Sequence, residues 1–252
     1  MQRRIGHPRA ATPCRACPLR RLPTFSKLPQ DKIDMIQSVK SGELAARAGE
    51  TIIAPGAEKP ELYTLLSGWA FRYKELPDGR RQILNVLLPG DLVGLQSAMF
   101  DAAQNGVEAL SDAVLCILPR AKVWSLFQGM PDLAFDITWL GSREEMHVDD
   151  SLLSVGRRNA AERIAAFLIG LSRRAAALGL ADADGSFAFP LQQTHVADAI
   201  GLSLVHTSKT LAKLRRLGMF TMANGRLHMA NARALARLAP LVDADLAPRP
   251  LI

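Results

Sequence analysis

The segment from residue 192 to residue 229 constrains the fold of this 252-residue chain more than any other. Its apolar residues recur at helical spacing up to Ile200 and again after Ser203. Between the two runs, Gly201 can adopt the left-handed conformation that ends a helix, and Ser203 can cap the next helix. Asn224-Gly225, a tight-turn pair, then separates two short apolar runs. The pattern predicts two helices, a sharp turn and a β-hairpin, which together form a winged helix-turn-helix.

The second predicted helix, residues 204–217, is amphipathic. Its packing side is predicted to carry Val205, Leu211, Leu214 and Leu217, and its polar side His206, Ser208, Lys209, Lys213 and Arg216. Such a helix fits the major groove of DNA, about 12 Å wide, where side chains near the helix start contact base edges. Cations further along the helix bind phosphates. An ordinary helical hairpin with a solvated basic face is the alternative.

Charge is distributed unevenly along the chain. Residues 1–21 contain six Arg and no acid, residues 22–156 contain 12 Lys and Arg against 18 Asp and Glu, and residues 157–252 contain 13 against 6. A basic module fused to an acidic one is typical of a nucleic-acid reader attached to a separate sensing domain. Basic surfaces also serve solubility alone, so charge by itself leaves both interpretations open.

Residues 44–119 contain short apolar runs separated by turn signals, among them Pro77-Asp78-Gly79. Strands at this spacing predict a small β-barrel or roll, with no helix inside it. After Pro119 the spacing becomes helical, first over residues 122–127 and then from Pro131 onward.

The long helix that begins at Pro131 is about 24 residues, or about 36 Å, which is too long to be buried against one small barrel. It is expected to pack against a copy of itself along a seam of Val148, Leu152 and Val155. Gly141 and Glu145 interrupt that seam. The alternative is an amphipathic helix that lies on its own domain.

Several classes of protein are not expected. No stretch approaches the roughly 18 apolar residues of a membrane span, and the basic N-terminus lacks the apolar core of a secretory signal, so the cytoplasm is the expected location. Three cysteines do not make a disulfide scaffold. The sequence lacks a nucleophile elbow, a Walker A loop and an HExxH motif, and its five histidines are isolated. We therefore expect no enzyme and assign no catalytic or metal-binding residue.

Three segments, in order, carry a family resemblance: Pro89-Gly90-Asp91-Leu92-Val93-Gly94, then residues 159–168, then residues 201–209. Over nearly its whole length the chain resembles the CRP/FNR family of bacterial transcription regulators. The resemblance implies an α+β fold with an N-terminal β-roll of cyclic-nucleotide-binding type, a long dimerisation helix and a C-terminal winged helix-turn-helix. The implied boundaries are a basic extension at 1–21, the β-roll sensor domain at 22–128, the helix at 129–155, the DNA-binding domain at 156–232 and a tail at 233–252.

The implied function is sequence-specific binding of a homodimer to a palindromic operator in double-stranded DNA, under control of a signal sensed by the β-roll. RNA polymerase is the expected partner, recruited by an activator or blocked by a repressor. The candidate DNA contacts are Gln192, Ser203, Val205, His206, Ser208, Lys209 and Lys213. The signal and the operator sequence are not given by the chain.

The residues at which family members bind an effector depart from the family pattern in two ways. Members that bind cAMP carry an Arg in the loop that here spans residues 94–110 and contains none, so cAMP is not expected. The FNR branch holds an iron–sulfur cluster with four cysteines. Cys14, Cys17 and Cys116 resemble three of them, but Pro23 stands at the remaining position, which leaves the set one thiolate short. A redox- or metal-responsive regulator that uses these three cysteines is the alternative function.

The recognition segment departs as well. FNR-like members have Glu at the position of Val205 and Arg at that of Lys209, whereas Ser208 matches. Losing the Glu removes an acceptor for cytosine N4, and Lys cannot make the bidentate contact of Arg. The operator is therefore expected to differ from the usual half-site.

Overall fold

A computed structural model describes residues 7–240 and 248–252, and within them the chain divides into two compact units. The first unit contains residues 7–74, 85–146 and 248–252, and the second contains residues 75–84 and 147–240. Among the helices of these residues, none combines the length and apolar character needed to cross a membrane.

The β-rich part of the chain is built from short strands, as the sequence predicts. They are β1 (His7–Arg9), β2 (Gly42–Ala46), β3 (Thr51–Ile53), β4 (Leu62–Ser67), β5 (Ala70–Glu75), β6 (Arg81–Leu87), β7 (Leu92–Val93), β8 (Gly106–Ala109) and β9 (Ala113–Leu118). A five-stranded sheet has the order β1-β2-β9-β4-β7, and a four-stranded sheet has the order β3-β8-β5-β6. Leu65 and Leu115 are fully buried in a core cluster with Ile52, Ile53 and Val107.

Helices cover a second apolar cluster of the first unit. They are α1 (Gln30–Val39), α2 (Leu95–Met99), α3 (Arg120–Gly129) and the first turns of α4 (Pro131–Arg157). Ile36, Leu62, Leu126 and Ile137 meet in this cluster, each at most 1% exposed. The expectation that no helix lies within residues 44–119 is wrong. At five residues, α2 is too short to show a helical period in the sequence.

Residues 7–21 differ from the basic extension that the sequence suggests. Strand β1 pairs with β2, and two short 3₁₀ turns, Cys14–Ala16 and Pro18–Arg21, follow it. Cys14 and Leu19 point inward and are buried, whereas the exposed Arg15 pairs with Asp34 at 2.8 Å. The arginines of this segment suggest a solvated arm, but the apolar residues between them attach it to the first unit.

Helix α4 has 27 residues, about 40 Å, and ends two residues later than expected. Its buried residues, Leu133, Ile137 and Leu140, all lie in its first three turns. Other large apolar side chains of the helix are exposed: Phe135 is 69% exposed, Met146 44%, Leu152 70% and Leu153 48%. Within the described chain this helix therefore keeps an uncovered apolar surface.

The second unit is the predicted winged helix-turn-helix. It contains α5 (Ala160–Ala177), β10 (Phe187–Ala188), α6 (Gln193–Ile200), α7 (Leu204–Arg216), β11 (Thr221–Ala223), β12 (Arg226–His228) and α8 (Ala232–Leu238). Asn159 and Glu162 form a capping box at the start of α5. The bounds predicted for α6 and α7 hold to within one residue, because caps and a glycine mark their ends.

The segment predicted as a tail, residues 233–252, divides between the two units. Its first part is most of α8, which packs against α5 through the buried Leu235. Residues 248–252 belong to the first unit.

Candidate nucleic-acid interface

The turn between α6 and α7 has the conformation that the sequence predicts. Gly201 has a φ of 65° and a ψ of 41°, and its N–H donates to the carbonyl of Ala197. A Cβ at this position would lie 3.3 Å from Cγ1 of Val155, so the turn is closely packed as well as left-handed. Ser203 Oγ accepts from the N–H of His206 at 3.3 Å and caps α7. The start of α7 is therefore fixed in direction by its own turn.

Arg163 of α5 binds the end of α6, a role that sequence reasoning missed. Its Nη1 donates to the carbonyl of Ile200 at 3.1 Å, and its Nε donates to the carbonyl of Arg158 at 2.8 Å. A cation is favourable here because the carbonyls at a helix C-terminus lack partners. The available signal was the position of Arg163 inside the 159–168 motif.

Residues 75–84 add two further contacts to α6 within the second unit. Arg81 Nε lies 3.1 Å from Asp198 Oδ2, and Gln82 Nε2 donates to the carbonyl of Ala199 at 3.1 Å. Both contacts bind the last turn of α6, next to Gly201. The end of α6 is therefore held from two sides.

Helix α7 packs through Thr207, Thr210, Leu211 and Leu214, all buried. These positions follow the i, i+3, i+4, i+7 spacing of one helix face. The expectation that Val205 and Leu217 pack with this face is wrong: they are 64% and 59% exposed. Two threonines take their place, and Thr210 Oγ1 donates to the carbonyl of His206 at 2.8 Å.

The opposite face of α7 is open and basic. It presents Val205, His206, Lys209, Lys213 and Arg216, which are all exposed. The sequence of α7 contains no Asp or Glu to neutralise them. Four of the seven candidate contacts, Val205, His206, Lys209 and Lys213, therefore share one surface, with an apolar side chain among the cations.

The other three candidates lie at helix starts or at the edge of this face. Gln192 is exposed at the cap of α6, and Ser203 is exposed at the cap of α7. Ser208 is half-buried and donates to Oε1 of Gln193, the first residue of α6. Gln193 was not predicted, because only the fold brings the start of α6 next to α7.

The wing carries an arginine that binds other residues of the second unit. Arg226 of β12 forms an ion pair with Asp182, and its Nη2 donates to the backbone carbonyl of Ser186 at 3.1 Å. Strand β12 also pairs with β10 and β11. Arg226 thus stabilises the base of the wing.

The three cysteines are buried and free. Lys40 Nζ donates to Cys116 Sγ at 2.8 Å and also interacts with the Cys14 thiol. Burial raises the pKa of Cys116, although the Lys40 ammonium opposes that shift. Burial alone would lower the pKa of Lys40, but the two thiols beside it leave that pKa raised.

This donor set does not fit an iron–sulfur cluster. Such a cluster needs four ligands, and here the Lys40 ammonium interacts with both Cys14 and Cys116. Among residues 7–240 and 248–252, no group of three or more His, Cys, Asp or Glu side chains could hold a metal ion.

The loop at residues 94–110 does not fit a cyclic phosphate either. Its charged residues are both acidic: Asp101, which lies 3.4 Å from Arg120, and Glu108 on β8. Asn105 Nδ2 donates to Gln96 Oε1 inside the loop. The loop therefore supplies no cation of its own for an anionic ligand.

Two family models match the chain. The model of the cyclic nucleotide-binding domain matches residues 43–129, and that of the Crp-like helix-turn-helix domain matches residues 162–238. The nitrogen fixation regulation protein FixK of Bradyrhizobium diazoefficiens is 31% identical over 192 residues, which are 76% of this chain and 79% of the relative. The fumarate and nitrate reduction regulatory protein of Escherichia coli K12 is 29% identical over 242 residues, 94% of each chain.

Two solved structures of regulators have a fold similar to that of this chain. FixK2 from Bradyrhizobium japonicum superposes with a TM-score of 0.73 at 28% identity, covering 81% of this chain and all of that one. TTHB099, a transcriptional regulator of the CRP family from Thermus thermophilus, has a TM-score of 0.63 at 28% identity and covers 77% of this chain and 95% of that one.

The stability of the second unit is predicted to fall in acid through His195 of α6. Burial, with the Arg81 guanidinium nearby, lowers the pKa of His195 from 6.5, and its neutral Nδ1 accepts from the N–H of Gln192 at 3.1 Å. Because the folded pKa is the lower one, this contribution is complete above pH 6.5 and is lost as the pH falls through the lowered value. Thermal melting between pH 7.5 and 5.5 should show the loss.

His195→Gln keeps an acceptor but does not titrate, so it should flatten that pH dependence. The same substitution at His206, whose side chain is exposed, is the matched control. Equal slopes for the native protein and His195→Gln would contradict this role.

Proposed function

Because the chain belongs to the CRP/FNR family of transcription regulators, we propose that it binds a two-fold symmetric operator as a homodimer, with one α7 in the major groove of each half-site. It is a DNA-binding regulator with a helix-turn-helix domain and a cyclic-nucleotide-binding-type β-roll. Two-fold symmetry implies inverted half-sites, and a spacing of about one helical turn lets both α7 helices enter the major groove on the same side of the duplex.

The open face of α7 is the observation that carries this proposal. The helix is packed on one side only, it begins at a rigid cap, and its free side is cationic without acids. A rigid cationic helix of 13 residues matches the width and the potential of a major groove. A solvated hairpin with no ligand would not need so uniform a charge.

Position along α7 and at the two helix starts suggests roles for five of the candidates. Val205, in the first turn, can contact a thymine methyl group, and Lys209 can donate to guanine O6 or N7. Lys213 and Arg216 are further along and suit phosphates, which position the protein without selecting sequence. Gln192 and Ser203, at the two helix starts, also suit phosphate oxygens.

Lys209→Ala and His206→Ala are each predicted to weaken operator binding by about 1–3 kcal/mol and to relax specificity at one base pair. The reason is the loss of a donor to a base edge. Gel shifts are run on the operator and on a random duplex, over a series of salt concentrations. They separate a loss of sequence-specific affinity from a loss of electrostatic, non-specific affinity.

Arg237→Ala removes an exposed cation from α8 and is the matched control. It should leave specific binding within about twofold, because surface changes away from a contact cost little. Lys213→Ala should weaken both duplexes and reduce the salt slope by about one. Unchanged operator affinity for both Lys209→Ala and His206→Ala would refute their assigned roles.

The exposed apolar surface of α4 supports a homodimer. Leu152 and Leu153 are 70% and 48% exposed, and Val148 is half-buried one turn before. Helices with such a stripe pack against a copy of themselves. Glu145 is exposed on the same line, and a carboxylate at a helix seam is costly unless it is neutralised or paired.

Leu152→Asp is predicted to weaken dimerisation at least tenfold, because it places a charge in the seam. Glu145→Leu is predicted to strengthen it. Sedimentation velocity over a concentration series gives both constants, and Asp150→Asn is an exposed control on the same helix. Dimerisation unaffected by Leu152→Asp would place the interface elsewhere.

The finer points of the proposal follow from this role. We propose binding and not catalysis as the activity, RNA polymerase as the partner at the promoter, and the cytoplasm as the location. The regulatory names of both relatives support an action on transcription.

A redox response through Cys14, Cys17 and Cys116 is the second candidate. The supporting observation is that Cys14 and Cys116 interact with the same half-buried ammonium, Lys40, although they are 102 positions apart in sequence. Oxidation of two thiols by peroxide would form one disulfide and two waters. Against a fast response stand the burial of the thiols and the raised pKa of Cys116, since the thiolate is the reactive form.

Brief peroxide treatment is therefore predicted to leave operator affinity unchanged to within about twofold, because a buried thiol of raised pKa reacts slowly. Gel shifts before and after treatment, with mass spectrometry of the thiols, provide the measurement. Cys116→Ser is the control. A loss of affinity in the native protein that Cys116→Ser abolishes would favour the redox function.

A further inference from the structure

The last five residues, Pro-Arg-Pro-Leu-Ile, lie against a segment near the start of the chain. The N–H of Arg249 donates to the carbonyl of Thr24 at 3.0 Å, and the N–H of Ser26 donates to the carbonyl of Arg249 at 2.8 Å. Ser26 Oγ also donates to the carbonyl of Pro248 at 2.7 Å. The tail is therefore bound by main-chain pairing, in the way an added strand is bound.

The side chain of Arg249 occupies a closed site. It is 5% exposed and forms an ion pair with Asp91, while its Nη2 donates to the carbonyl of Pro89 at 2.8 Å. Its guanidinium carbon lies 4.7 Å from the ring centroid of Phe25. The second oxygen of Asp91 accepts from the N–H of Leu88 at 2.8 Å. Carboxylate, carbonyl and ring together match the geometry of an Arg.

Gly90 makes room for this arrangement. Gly90 has a φ of 86°. A Cβ added to it would lie 2.2 Å from Phe25 Cζ and 3.1 Å from Nη2 of Arg249. Any side chain at Gly90 would therefore displace the ring or the guanidinium. The turn that the family resemblance singled out is shaped to hold the tail.

The final residues enter the interior of the first unit. Leu251 and Ile252 are each 2% exposed, and the carbonyl of Ile252 accepts from Thr64 Oγ1. Ile252 packs in the cluster that contains Leu62 and Leu126. The site thus has one subsite for Arg and another for the aliphatic side chains of Leu251 and Ile252.

A buried ion pair is a poor way to gain stability, because an apolar pair of similar volume serves as well or better. Its better-attested use is selection of one partner, since an unpaired buried charge is strongly penalised. Arg249 and Asp91 are 158 positions apart in sequence. The pair therefore favours recognition of one particular segment over general cohesion.

We propose that the first unit carries a peptide-binding groove, formed by residues 24–26, 64 and 89–91, whose ligand is the C-terminal segment Pro-Arg-Pro-Leu-Ile of the same chain. Residues 241–247 join this ligand to α8 in sequence. When the tail is docked, the segment that follows α8 in sequence is thus held on the first unit.

A chain that ends at residue 247 tests the groove directly. Fluorescein-labelled Pro-Arg-Pro-Leu-Ile is titrated into it and followed by fluorescence anisotropy. We expect saturable binding, and binding at least about tenfold weaker to the full chain, whose groove is filled. A peptide with Ala in place of Arg, and a truncated chain with Asp91→Asn, should each bind at least about tenfold more weakly, because each leaves one buried charge unpaired.

Asp101→Asn is the matched control for charge, since Asp101 is exposed and lies outside the groove. Circular dichroism shows whether the truncated chain is folded. A folded truncated chain that does not bind the peptide, or that binds the Ala peptide equally well, would overturn the proposal.

If truncation prevents folding, the full chain supplies a second measurement. Carboxypeptidase should release Ile252 and Leu251 from the native protein at least tenfold more slowly than from the free peptide, and Arg249→Ala should remove most of that protection. Equal rates for the native protein and the free peptide, or no effect of Arg249→Ala, would overturn the groove. Protection that increases with protein concentration would assign the ligand to a second copy and overturn its assignment to the same chain.

Discussion

The one-sided burial of α7 is the constraint on which the DNA-binding role depends. Thr207, Thr210, Leu211 and Leu214 fix the rotation of the helix about its own axis. Gly201 and Ser203 fix its direction, through a left-handed turn and a side-chain cap. With rotation and direction both set, the opposite face of the helix, which carries the cations, has a fixed orientation within the second unit. Side chains that read base edges need such a rigid support.

The basic C-terminal third of the chain contains two kinds of cationic side chain. Arg163 and Arg226 are engaged within the second unit, one at the end of α6 and one at the base of the wing. Lys209 and Lys213 extend from the open face of α7. Net charge counts both kinds equally, so it predicts the presence of a basic domain better than it predicts which residues meet a phosphate. Only the packing separates structural arginines from those available to DNA.

In the first unit, a turn that belongs to a family motif also binds a segment from the other end of the chain. Pro89, Gly90 and Asp91 form a turn that the sequence matched to the family. In this chain the same turn accepts Arg249, with Phe25 over it. Neither Arg249 nor Phe25 has a sequence signal, because each owes its role to a partner far away in the chain. The loop at residues 94–110 and the three cysteines also depart from the family pattern, in charge and in number of thiols.

What the sequence determined by itself is local. The cap at Ser203, the turn at Gly201 and the hairpin at Asn224-Gly225 follow from nearby residues, and for that reason the bounds of α6 and α7 were predictable. The tertiary structure alone decided that Val205 is exposed, that Cys14 and Cys116 interact with Lys40, and that residues 7–21 and 248–252 join the first unit. These features depend on contacts between residues far apart in the chain, and neither periodicity nor composition records such contacts.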